Sequence, residues 1–388
     1  MAWDLGDREV GRGVEERCVE AQCMAGACVD CECSFRETDR AGKGEGAVGA
    51  GGGGEKGMCR SRGEHAATVA RAVPGLTIER MQTSSKVRWP IALAAGARVA
   101  LISPSGPLRG EADVARAEGW VRGYGWEPVR GAGVLARRGY LAGEDDVRLR
   151  DLQWALDDAR VDAVWCVRGG YGMTRLLPRL SLKRFAERPK FVIGYSDVTA
   201  LHCAIAARVR VVSVHAHTAR AVMPAMSVRS LAAVVEQRGE PCGVWNSAVP
   251  VYAGRAEGVL RGGNLALLAS LCGTADAMDG RGAIVVLEDV NEAAYRVDRM
   301  LRQLEQSGAF DGCVALAVGQ FTDVPDDEND DAMIMDALVE ELAQRLRVPC
   351  LANLPIGHIA DQWAVPLGAD AVLDVEARSL SVVMPACA

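Results

Sequence analysis

Histidine is scarce in this 388-residue chain, which has only five. Chemistry that needs an imidazole therefore has few candidates, and each can be weighed in turn. No apolar run approaches the roughly 18 residues that a membrane span needs. Positive charge is not in excess: 44 Lys and Arg against 51 Asp and Glu leave a net charge of -7. That balance argues against a nucleic-acid surface. Cys28-Val-Asp-Cys31, with Cys23 and Cys33 nearby, lacks the second paired half and the close histidine of a zinc site. No metal or cofactor is expected. What is present is a mildly acidic globular protein, 49% hydrophobic, long enough for two domains and a sizeable core.

The 13 cysteines divide unevenly, six between Cys18 and Cys59 and seven from Cys166 to Cys387. The later seven sit mostly in apolar contexts such as Trp165-Cys166-Val167, which suits small thiols in a reducing cytosol. Residues 1–85 read as a disordered leader, with eight glycines in the thirteen positions 42–54 and no traceable period. Met81 precedes the first orderly residues and is a candidate true start. Lys86, Arg88 and the apolar run Ile91-Ala-Leu-Ala-Ala imitate a signal peptide. That run is short and passes straight into strand-like Arg98-Val-Ala-Leu-Ile102, so a cytoplasmic location is the expectation.

From there the pattern is regular. Strands are expected at 99–102, 127–134, 161–167 and before Ser196, with helices at 111–125, 145–158 and 175–185 between them. Such alternation indicates an α/β fold, a parallel sheet with helices on both faces. In such sheets ligands bind at the carboxyl ends of the strands. Three glycine- or serine-rich turns fall there: 103–106, 168–172 and 194–197. The N-terminal α/β domain is assigned to 86–215. Residues 216–255 lack a clear period and read as a linker, and 256–388 read as a smaller C-terminal α/β domain.

Gly194-Tyr-Ser-Asp-Val198 follows a buried strand and opens a helix, which is how a nucleophile elbow is built. Val198 stands where the α/β-hydrolase pattern has glycine, so this is not that motif. The competing reading is that Ser196 and Asp197 only cap the helix. A serine nucleophile needs a base. His65 lies in the leader and His202 nearly two turns along the helix. His215 and His217 alternate at the end of a strand, so at most one faces the active edge. His358 follows glycine in the turn Leu354-Pro-Ile-Gly-His358. His358 leads and His215 is the runner-up. Glu288 and Asp289 end the strand 283–287 and can orient a base. They can equally cap a helix or pair with Arg296 or Arg299.

From about Pro90 to Pro385 the chain resembles the LD-carboxypeptidases, serine peptidases that include muramoyltetrapeptide carboxypeptidase and the microcin-immunity peptidases. The resemblance rests on ordered motifs: Pro104-Ser-Gly106, Tyr140-Leu-Ala-Gly143 with Arg148, Arg168-Gly-Gly-Tyr-Gly172, Gly194-Tyr-Ser-Asp197, Gly262-Gly-Asn-Leu265, Leu287-Glu-Asp289 with Tyr295 and Asp298-Arg299, and Pro355-Ile-Gly-His358. It implies Ser196 as nucleophile, Glu288 as orienting group and His358 as base. The oxyanion hole it implies is made of the N–H groups of Asp197 and Gly170. The implied substrate is a murein tetrapeptide losing its terminal D-alanine during cytoplasmic peptidoglycan recycling, and the implied assembly is a homodimer. A substrate carboxylate calls for a cation, for which Arg168 and Arg299 are candidates. One alternative is a microcin-immunity peptidase acting on an aminoacyl-nucleotide, for which Trp363 is a lone stacking candidate. An alternative of another class is a non-catalytic protein that holds an anion in its glycine turns.

Overall fold

Short strands that are apolar at every position need cover on both faces, and parallel sheets supply it. Val99–Ile102, Ala163–Cys166 and Phe191–Gly194 are such runs, each buried along its length. The computed structural model describes residues 87–325 and 331–385, all of them in one compact unit. The leader 1–85, with Met81 and its cysteine pairs, lies outside the described residues.

In chain order the elements begin with β1 (Arg98–Ile102), α1 (Glu111–Gly123), β2 (Glu127–Arg130), α2 (Asp145–Asp157) and β3 (Ala163–Cys166). Next come α3 (Lys183–Glu187), β4 (Phe191–Gly194), α4 (Thr199–Arg208), β5 (Ser213–His215), α5 (Ala225–Val235) and β6 (Val249–Tyr252). The second half runs β7 (Arg255–Asn264), α6 (Leu265–Ser270), β8 (Ala283–Val290), α7 (Ala294–Gln306) and β9 (Ala315–Thr322). It ends with α8 (Asp331–Leu346), β10 (Cys350–Ala352), β11 (Val365–Leu367), β12 (Asp370–Asp374) and β13 (Ser379–Val382).

The first sheet has the order β11-β5-β4-β3-β1-β2, parallel except for β11, which runs antiparallel along β5. Alternation along β1 sends Val99 and Leu101 to a cluster with Val114 and Val121 of α1. Ala100 and Ile102 face the other way, toward Leu152 of α2 and Leu201 of α4. The second sheet has the order β13-β12-β7-β8-β9-β10-β6, with β7 to β10 parallel at its centre. On α7, Ala294, Val297, Leu301 and Leu304 recur at helical spacing and are buried.

Two expectations change. The helix expected over 175–185 is instead two single 3₁₀ turns, Met173–Arg175 and Leu177–Arg179, followed by the short α3. Pro178 has no N–H to continue a helical ladder, and Leu180 beyond it is extended. The stretch 216–255 carries structure of its own. Helix α5 buries Leu231, Val234 and Val235 at helical spacing, and β6 pairs with β10. The two halves also share their walls. Strand β11 comes from the second half yet completes the first sheet, and Leu201 and Ile205 of α4 lie in one apolar cluster with Leu265 and Leu268 of α6.

Candidate active site

The turn after β4 is built around one unusual backbone angle. Ser196 has φ +63°, the left-handed region that a residue with a Cβ seldom occupies. Helix α4 takes no side-chain cap at its start, so the capping reading of Ser196 does not hold. Asp197 is fully buried and points away, its Oδ2 accepting the Met173 N–H at 2.8 Å. Burial raises its pKa above the usual carboxylate range. That bond ties the serine turn to the 168–172 turn. The Gly169 carbonyl in turn accepts the Gly106 N–H at 2.9 Å, so the three sequence-predicted turns meet.

Glycine is required where they meet. A Cβ on Gly169 would stand 3.0 Å from Ser196 Cβ and 3.1 Å from its Oγ. Gly170 has φ +111° and packs on Gly106, a Cβ there coming within 3.1 Å of the Gly106 Cα. The N–H groups of Gly170 and Asp197 donate to nothing among the described residues. They are two free donors, one on the residue after the serine and one on the residue after Gly169, which packs on the serine side chain.

The second half supplies the other groups. Glu288 lies at the carboxyl end of β8, fully buried, beside a register shift between Leu287 and Asp289. Its Oε2 accepts a hydrogen bond from His358 Nδ1 at 2.8 Å, and its Oε1 has no partner among the described residues. Gly357 has φ +114°, and a Cβ there would lie 2.8 Å from Glu288 Oε2. The glycine before the histidine therefore lets the carboxylate pass beneath the turn. Tyr195 joins the halves, its ring 4.6 Å from the His358 ring between centroids. Burial, and then the Glu288 charge, push the Tyr195 phenol up to about 12. Among the described residues no hydrogen bond joins Ser196 Oγ to His358; such bonds are often long before substrate binds.

The remaining candidates have other surroundings. Asp289 caps α6, its Oδ2 accepting the Ala266 N–H and its Oδ1 the Asn264 amide, both at 2.8 Å. It caps the helix before its own strand, and burial pushes its pKa up to about 6. His215, the runner-up base, is fully buried with neither ring nitrogen bonded, and burial holds its pKa well below the usual imidazole value. His217 is buried too, with Nε2 on the Ala360 carbonyl at 3.1 Å. Trp363 packs on Trp245 and is 5% exposed, which removes it as a stacking surface. Arg299 lies over the exposed ring of Tyr295, 5.3 Å from its centroid. Among the described residues no cluster of three or more His, Cys, Asp or Glu could hold a metal ion.

Three supporting residues received no role from the sequence. Tyr195 is one. His202 is the second: Nε2 donates to the Gly194 carbonyl and Nδ1 accepts from Ser213 Oγ, both at 2.9 Å. Arg148 is the third. It is 1% exposed, and its Nη1 donates to the carbonyls of Pro104 and Gly172 while Nη2 meets Asp145. The signal available for it was its place in the ordered motif set, with Tyr140-Leu-Ala-Gly143.

Known proteins share this arrangement of halves. Residues 99–216 match the LD-carboxypeptidase N-terminal domain, and residues 257–373 match the LD-carboxypeptidase C-terminal domain. The chain belongs to the LD-carboxypeptidase family. The murein tetrapeptide carboxypeptidase of Pseudomonas aeruginosa is 36% identical over 290 residues, 71% of this chain and 93% of that protein. The solved muramoyltetrapeptide carboxypeptidase of Oxalobacter formigenes is 29% identical, with a TM-score of 0.64, covering 74% of this chain and 98% of that one. MccF, solved in complex with glutamyl sulfamoyl guanosine, has a TM-score of 0.68 at 20% identity, covering 76% of this chain and 98% of that one. That last likeness is one of fold. Membership in the LD-carboxypeptidases makes the chain a hydrolase of the serine peptidase class.

Proposed function

We propose that this chain is a serine carboxypeptidase that cleaves an L,D-peptide bond and releases a C-terminal D-amino acid, D-alanine from a murein tetrapeptide. The observation that carries the reading is a strained serine beside two free N–H donors, with a Glu288–His358 pair 2.8 Å long packed against its neighbour Tyr195. The named activities of the Pseudomonas and Oxalobacter relatives support the substrate.

In the proposed mechanism Glu288 accepts a hydrogen bond from Nδ1–H of His358, which keeps the proton on Nδ1 and leaves the Nε2 lone pair free to act as base. His358 takes the Ser196 proton as Oγ attacks the scissile carbonyl. The N–H groups of Asp197 and Gly170 receive the developing oxyanion, and loss of one such donor typically costs about 100- to 1,000-fold in rate. His358 then protonates the departing amine. Water, deprotonated by the same imidazole, releases the acyl chain from Ser196. The proposed setting is cytoplasmic recycling of cell-wall peptides by a homodimer. Trp363, the lone stacking candidate for the microcin-type alternative, packs on Trp245.

Purified protein is expected to release D-alanine from murein tetrapeptide, and Ser196→Ala to release none. Aminoacyl-nucleotide offered as a competitor should leave that release unchanged.

A further inference from the structure

The carboxyl edge of the first sheet holds arginines that the proposed triad does not use. Arg168 follows β3 by two residues and precedes Gly169, whose Cα faces the Ser196 side chain. Its guanidinium lies along the neighbouring turn: Nη1 donates to the Pro107 carbonyl, and a Cβ on Gly106 would stand 3.4 Å from Nε. Nε and Nη2 have no partner among the described residues. Arg109 lies two residues beyond that carbonyl. Arg220 is held at the same strand end, its N–H on the Val167 carbonyl at 3.2 Å, and its buried Nε is unpartnered.

Charge accumulates here without an answer. Burial lowers the Arg168 pKa, and the positive charges of Arg220, Arg109 and Arg137 lower it further. Among the described residues none of the four arginines forms an ion pair. Asp113, the acid that acts on Arg168, pairs with Arg116 at 3.6 Å. Gathered like charges are unfavourable until an anion joins them.

We infer that Arg168, with Arg109, Arg137 and Arg220 around it, forms the site for the free C-terminal carboxylate of the released residue. The inference rests on the serine carboxypeptidase reading. In a one-residue leaving group the carboxylate lies within about 4 Å of the scissile carbonyl carbon, and Arg168 Cα is about 3.8 Å from that of Gly169. A guanidinium fork also matches a carboxylate in a way that an ammonium does not. Peptides ending in a carboxamide or extended by another residue would leave the cluster unneutralised. The site therefore selects for a free terminus one residue past the cut.

The test compares murein tetrapeptide with the same peptide ending in D-alaninamide. Wild-type protein is expected to favour the acid by about 10- to 100-fold in kcat/KM, the range of a charge-assisted hydrogen bond. Arg168→Gln should bring that preference to within about threefold, mainly through KM. Arg109→Gln and Arg137→Gln change exposed side chains with little risk to folding, and each should lower the preference by about two- to fivefold. If wild type prefers the acid and all three variants keep the full preference, the site is wrong; it is equally wrong if only Arg299→Gln removes the preference. Cleavage of neither peptide by wild type would instead overturn the carboxypeptidase reading beneath it.

Discussion

At Ser196 the backbone is held where it would not rest alone. A left-handed serine costs about 1–3 kcal/mol, which the surrounding bonds must offset. The Asp197 carboxylate on Met173 N–H, the Val198 N–H on the Tyr195 carbonyl at 3.3 Å and the His202 ring on the Gly194 carbonyl do this. Gly357 is the most exacting position nearby. Gly357→Ala sets a methyl within 2.8 Å of Glu288 Oε2 and strains a φ of +114°. Circular dichroism should find that variant folded, with D-alanine release reduced by at least about 100-fold as the imidazole loses its orientation. Glu288→Gln keeps the shape but can turn an NH2 donor toward the nitrogen that must carry the proton, which favours the wrong tautomer. Its kcat is expected to fall by about 1,000- to 10,000-fold with KM little changed. A variant within tenfold of wild type would remove Glu288 from the proposed mechanism.

Among the elements, the strands and long helices were legible because their periods were. β1, β3, β4 and α7 carry uninterrupted apolar or helical patterns, and tertiary packing agrees with them. Reading failed where a local signal was passed over. Pro178 divided what spacing alone would have made one helix, and α5 lay unseen although Leu231, Val234 and Val235 have helical spacing. Leu301→Ala on α7 should cost about 2–5 kcal/mol in urea-unfolding free energy, because the site is closed on all sides. Arg148 joins α2 to two of the three turns, an assignment that no periodicity could reveal. Arg148→Met leaves the Pro104 and Gly172 carbonyls without their buried donor and Asp145 without that partner. About 3–5 kcal/mol of stability should be lost.

Over the whole molecule, buried ionisable groups couple folding to pH. His202 is buried and neutral, its pKa lowered to about 4 by desolvation. Above pH 6.5 it is neutral folded or unfolded. As pH falls from 6.5 toward 4 the unfolded chain takes a proton that the native state refuses, so stability drops by on the order of 3 kcal/mol. Asp289 works in the opposite sense: its raised pKa stabilises below the usual carboxylate range, and that contribution is lost as pH rises through about 6. The difference between wild type and His202→Gln isolates the histidine. The variant's deficit in urea midpoint should be largest at pH 7 and shrink toward pH 4; a constant deficit would contradict the neutral assignment.

The site was legible at the level of motifs because its residues fall at strand ends, where an α/β sheet opens. Contacts between distant turns, such as Tyr195 on His358 and Arg148 between two carbonyls, leave no mark in sequence spacing. The most direct measurement is D-alanine release from murein tetrapeptide by wild type and Ser196→Ala side by side. The expected result is steady release by wild type and none by a folded Ser196→Ala. Equal release by the two proteins, or none from wild type, would contradict the proposed nucleophile or the proposed substrate, respectively.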